Sequence, residues 1–125
     1  MDTVYNVHMT TKAGRGWKFF HEVLYESLPP EERKTVKIMT TILDLGRGHL
    51  LHPQTTGGHR YIHIVIDIQK GKLQNNEEKQ AFLQRTVDAC RTYEGKYVED
   101  CEIEVKLNEV DNNDYMRVWG SKRLA

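Results

Sequence analysis

Residues 61–69 read YIHIVIDIQ, the clearest strand in the chain. Ile62, Ile64, Ile66 and Ile68 fall on one face of an extended segment, and Tyr61, His63, Val65 and Asp67 on the other. Successive side chains of a strand point to opposite faces, so a face of four isoleucines marks a strand with one side in a core. Downstream, KGKLQNN (70–76) is a loop. Asn75 or Asn76 is placed to cap a following helix, with Glu77 and Glu78 in its first turn, where the helix dipole favours acids. That helix spans EEKQAFLQRTVDACRTYE (77–94), with Phe82, Leu83, Val87 and Cys90 along its inner side. CEIEVKLNEV (101–110) alternates again, setting Ile103, Val105 and Leu107 against Glu102, Glu104, Lys106 and Asn108. The sequence beyond it, DNNDYMRVWGSKRLA (111–125), reads as a tail.

Upstream, the same unit occurs once more. TVYNVHMTT (3–11) alternates, with Tyr5, Val7 and Met9 opposite Asn6, His8 and Thr10. KAGRG (12–16) breaks the strand. WKFFHEVLYESL (17–28) then has Trp17, Phe20, Leu24 and Leu28 at helical spacing, flanked by Phe19 and Val23. Pro29-Pro30 stops this helix, because proline removes a donor and keeps the preceding residue extended. TVKIMTTILDL (35–45) is rich in β-branched residues and reads as a strand. GRGHLLHPQTTGG (46–58) is a long polar turn region.

The order is β-α-β followed by β-α-β. It predicts an α+β fold, with one four-stranded sheet and two helices on one face. The chain of 125 residues suits a single domain, 1–125, built of two fused repeats at about 1–48 and 59–120. The sheet face turned away from the helices carries Asn6, His8, His63, Asp67, Glu104 and Lys106. Such a face is wet, meets another subunit, or lines a site.

Charge is balanced, with 18 basic and 18 acidic residues, so nothing points to nucleic acid or a membrane surface as partner. No apolar run approaches the ~20 residues of a membrane span, and no signal-peptide pattern is present. A cytoplasmic protein is expected, with Cys90 and Cys101 as free thiols that pack as small hydrophobes. His49, His52 and His59 lie in the long loop, but there is no HExxH and no cysteine-histidine knuckle. His63 and Asp67 stand ~13 Å apart on an extended strand, too far to share an ion. No metal and no cofactor are predicted. Gly57-Gly58 reads as a flexible turn, and there is no glycine-rich nucleotide motif. Lys70 and Lys72 lie between a strand end and a helix start, where cations and helix N–H groups converge on an anion.

Several stretches together resemble the tautomerase superfamily, especially its long fused members, the cis-3-chloroacrylic acid dehalogenase group and related fungal proteins. VYNVHM resembles the family's amino-terminal strand. GGHRYIHIVIDIQKGK is similar to the strand that opens the second repeat and to its anion-binding end. EEKQAFLQRTVDAC is similar to the second helix, and EIEVKLNEVDNNDYMRVWG to the last strand and closing segment. The resemblance implies a trimer whose sheets face inward, with sites at the interfaces. It implies proton transfer by an amino-terminal proline, and arginines that hold a substrate carboxylate.

The chain departs from that pattern. Its prolines are Pro29, Pro30 and Pro53, and Thr3 falls where the catalytic proline would be, behind Met1 and Asp2. The two arginines fall on Gln69 and Lys72, a tyrosine of the last strand on Lys106, and a glutamate near the end on Val118. The family's helix histidine has no clear match, with Tyr25 and Ser27 in its neighbourhood. The resemblance therefore implies a small-molecule ligand with a carboxylate or carbonyl, bound by Gln69, Lys72, Lys106 and Trp119. Met1, through its α-amine, and Thr3, His8 and His63 are the candidate catalytic residues. Met1 is expected to be retained, since Asp2 is bulky for aminopeptidase removal. The activity expected is that of an isomerase, hydratase or cyclase on a small unsaturated or enolisable carbonyl compound. Two alternatives stand beside it: a non-catalytic relative that binds a small molecule or a partner, and a cyclase of the dimeric α+β barrel type.

Overall fold

The computed structural model describes residues 1–43 and 60–120, and the backbone of 122–124. His49, His52, His59 and Gly57-Gly58 lie outside the described residues. The central strand pair is β1 (Thr3–Thr10) and β3 (Arg60–Gln69), antiparallel, with Val7 opposite Ile64. β2 (Val36–Leu43) adds parallel to β1, and β4 (Cys101–Val110) parallel to β3. The sheet order is β2-β1-β3-β4. Each half is thus a β-α-β unit, and the halves meet antiparallel at β1 and β3. A dimeric α+β barrel is built on a fully antiparallel sheet. The parallel outer pairs rule out that alternative.

The helices α1 (Trp17–Ser27) and α2 (Asn76–Glu94) cover one face. Beneath them Tyr5, Val7, Met9 and the four isoleucines of β3 are all but sealed from solvent. β-branched isoleucine packs well on a pleated surface, and these layers fill the space between sheet and helices. Ile103, Val105 and Leu107 of β4 pack against the margin of this core.

Two helix faces differ in detail from expectation. α1 turns Phe20 and Leu24 inward, but Trp17 and Phe19 stay 41% and 54% exposed. Trp17 opens the helix immediately after a 3₁₀ turn at Ala13–Gly16, and its ring meets His21 edge-on instead of the core. On α2 the sealed stripe is Phe82, Thr86, Ala89 and Cys90, whereas Leu83 and Val87 sit at its edge. Thr86 is tolerated inside because its hydroxyl donates to the Phe82 carbonyl at 3.3 Å. Asn75 caps α2, its side chain accepting from the Glu78 amide at 2.9 Å. α1 ends at Ser27, and Leu28 before the prolines is extended.

The segment read as a tail holds more structure than that. β5 (Arg117–Trp119) and β6 (Lys122–Leu124) pair antiparallel, and Gly120 at φ +60° supplies the left-handed turn residue. No described helix is long and apolar enough to cross a membrane.

Candidate functional site

The corner where β1 begins brings cations to Asp2 and Thr3. Thr3 is only 7% exposed and points to the helix side, in line with Tyr5. Across the sheet, β3 ends at Gln69 in a tight turn. The Lys72 amide donates to the Gln69 carbonyl at 3.1 Å, and Gly71 takes φ +89°. A β-turn with positive φ at its third residue wants glycine there, and this glycine folds the chain back toward β1. Leu73, packed against the core, anchors the segment. As a result the Lys72 ammonium donates to Thr3 Oγ1 at 3.2 Å, across 69 positions of sequence. Lys70 continues the β3–β4 ladder, donating to the Val110 carbonyl at 2.8 Å.

Asp2 is held at the same corner by residues that periodicity did not single out. Arg117 of β5 donates to its carboxylate at 3.3 Å, and Lys37 of β2 stands 3.9 Å from it. Three cations, Lys37, Lys72 and Arg117, therefore reach residues 2 and 3. Met1, half-buried, precedes them.

His8 and His63 form a separate group. They are paired across β1 and β3 on the sheet face away from the helices, with ring centres 5.9 Å apart. Five residues of extended strand separate His8 from Thr3, roughly 16 Å. His63 Nε2 lies 3.5 Å from Glu104, and its ring stacks on Tyr61, whose phenol is pushed up by burial and by Glu104 and Glu102. His8 Nδ1 is buried with no hydrogen-bond partner among the described residues. On the same face Asn6 donates to Asp67 at 3.0 Å, and Asn108 donates to Asp67 at 2.8 Å. Lys106 stands exposed beside Val65, and Met39 lies open at the β2 edge. Trp119 is 76% exposed on β5. The structure thus brings Thr3 to Lys72 and His8 to His63, and places Lys106 and Trp119 with neither hydroxyl nor ammonium of that corner.

A further polar cluster escaped sequence reading. Glu94, sealed at the end of α2, pairs with Arg60 at the start of β3, and the Tyr97 ring lies 4.6 Å from that guanidinium. Burial works against the Arg60 charge, but the Glu94 carboxylate more than reverses this, so its pKa is raised. Cys90 and Cys101 are free, and burial, helped by the Glu94 charge, pushes both thiols up to about 12. Such thiols are poor nucleophiles. Among the described residues no group of three His, Cys, Asp or Glu side chains is placed to hold a metal ion.

No family model matches the sequence, and no curated protein sequence matches it. Solved structures do match over nearly the whole chain. A 5-carboxymethyl-2-hydroxymuconate isomerase from Deinococcus radiodurans R1 superposes with TM-score 0.74 at 10% identity, covering 92% of this chain and 87% of that one. A fused 4-OT, solved as a symmetric trimer, gives TM-score 0.67 at 15% identity, with 95% and 93% covered. A member of the cis-3-chloroacrylic acid dehalogenase family gives TM-score 0.60 at 19% identity, with 97% and 83% covered. These are tautomerase-superfamily proteins. The chain has the tautomerase fold. Within that fold, the corner at Thr3 and Lys72 is the start of the first strand and the end of the third. The paired histidines lie mid-sheet on the open face.

Proposed function

We propose that this protein is a tautomerase-like isomerase, hydratase or cyclase acting on a small enolisable or unsaturated carbonyl compound with a carboxylate. It works without the family's proline, and its site lies at the start of β1. The observation that supports this most is the 3.2 Å contact from Lys72 to Thr3. It puts a cation beside the residue at which the family's chemistry would occur. In this reading Lys72 binds the substrate's oxygens beside Thr3. As a point charge Lys72 makes a looser clamp than arginine's fork, and a modest affinity follows. The Met1 α-amine takes a proton from the carbon next to the carbonyl and returns it to the enolic oxygen or a neighbouring carbon. Lys72 offsets the charge that builds on the oxygen.

The reading includes a homotrimer. The open sheet face carries exposed Met39, half-buried Val65 and a His8 Nδ1 with no partner among the described residues, a combination that a neighbouring subunit would cover. Trimeric assembly of the fused 4-OT supports it by analogy. Inward-facing sheets would bring His8, His63 and Lys106 to an interface between subunits.

The test is a Thr3→Pro variant produced so that the chain starts at that proline. It should raise ketonisation of phenylenolpyruvate well above the parent. No gain in a correctly folded variant would count against a catalytic pocket at this corner. Because Thr3 offers no basic atom, the same corner also supports a binder without turnover. Retained binding of phenylpyruvate with no ketonisation by the parent selects that second reading.

A further inference from the structure

The carboxylate of Asp2 is held by two cations. Arg117 reaches it from β5 at 3.3 Å and Lys37 from β2 at 3.9 Å, and the next residue in the chain, Thr3, is the one that Lys72 touches. Two elements far apart in sequence, residues 37 and 117, are thus drawn together on one acidic side chain. Its side chain is 21% exposed, against 47% for Lys37 and 37% for Arg117, so the cations remain open to solvent beside the acid they hold.

We infer that Asp2 is a built-in competitor. It occupies an anion seat formed by Lys37 and Arg117, and a ligand carboxylate enters that seat by displacing it. This rests on the reading that the ligand is a small carboxylate bound at the start of β1.

Three physical points support it. A half-exposed pair of this length is held weakly, because solvent screens it and two long side chains lose freedom in making it. It can therefore open without unfolding. A tethered acid presents itself at high local concentration, so a free ligand must outcompete it even though each contact is weak. Finally, Arg117 can grip a planar carboxylate with two parallel N–H groups, whereas it gives Asp2 one. A small ligand free to orient in the seat can gain the second contact, so exchange is favourable once the ligand is abundant. Asp2 then sets a threshold: weak or scarce anions are excluded, and an abundant carboxylate enters.

The experiment compares the parent with Asp2→Asn, which keeps the shape and removes the charge. Binding of phenylpyruvate and of its uncharged methyl ester is measured by calorimetry at low salt. Asp2→Asn should tighten phenylpyruvate about fivefold, the upper range for relief of a surface pair, and leave the ester unchanged. Asp2→Asn combined with Arg117→Met should lose the gain. Equal phenylpyruvate affinity in parent and Asp2→Asn, or an equal gain for the ester, overturns the inference. Ketonisation of phenylenolpyruvate, followed in parallel, separates it from the catalytic reading. Tighter binding without turnover in either protein leaves the competitor standing and removes the enzyme. Turnover with an Asp2→Asn KM equal to the parent's does the reverse. Absence of phenylpyruvate binding in both proteins at millimolar concentration overturns both.

Discussion

Thr3 and Lys72 are ordinary residues in sequence, and each acquires meaning from its neighbour in space. Lys72 could be read as a cation between a strand end and a helix start. What it touches could not, because the contact spans 69 positions and depends on β1 lying beside β3. Asp2, Lys37 and Arg117 were missed as a group for the same reason, since Asp2 and Arg117 lie 115 positions apart. Glu94 was missed differently. It sits one turn beyond Cys90 on the buried stripe of α2, which puts a charge where helical periodicity wants an apolar residue. Only its partner Arg60, from the far half of the unit, makes that position tolerable. Removing one member of a buried ion pair strands the other charge. Glu94→Ala should therefore destabilise the protein by about 3 kcal/mol, read as a lower midpoint in urea denaturation. A loss under about 0.5 kcal/mol would mean that Arg60 finds water instead, as exposed pairs do.

At the scale of elements, regular patterns were legible and irregular ones were not. β3 was readable because four isoleucines recur at every second position, and all four are sealed. The start of α2 was readable from Asn75 and the acids after it. Asn75→Ala should cost about 1 kcal/mol through loss of the bond to the Glu78 amide, measured by thermal unfolding, with the site corner unaffected. An unchanged Tm would show that the Glu78 contact back to the Gln74 amide, at 2.7 Å, holds the helix start alone. The β5–β6 hairpin went unread. Its strands are three residues each, too short for alternation to show, although Gly120 marked the turn. Trp17 shares the spacing of Phe20 and Leu24, and spacing does not reveal that α1 begins at that residue.

At the scale of the whole molecule, the two-repeat order implied one four-stranded sheet but not its strand order. Periodicity gives strands and faces but not which strand lies beside which. The strand order β2-β1-β3-β4 carries the fold, and assembly is the next question it raises. Val65 lies mid-sheet on the open face, between Asn6 and Lys106. A charge at half-buried Val65 costs far less in a monomer than at a covered interface. Sedimentation should give a trimer for the parent and a monomer with unchanged circular dichroism for Val65→Asp. A Val65→Asp trimer would move the interface elsewhere.

The central claim is that a small carboxylate binds at the start of β1. Backbone amide shifts recorded during a phenylpyruvate titration locate the ligand most directly. The account predicts that perturbations concentrate at Thr3, Gln69, Lys72 and Arg117 and saturate with one affinity. Shifts confined instead to the groove between α1 and α2, at Phe19, Val23, Arg85 and Ala89, would contradict it.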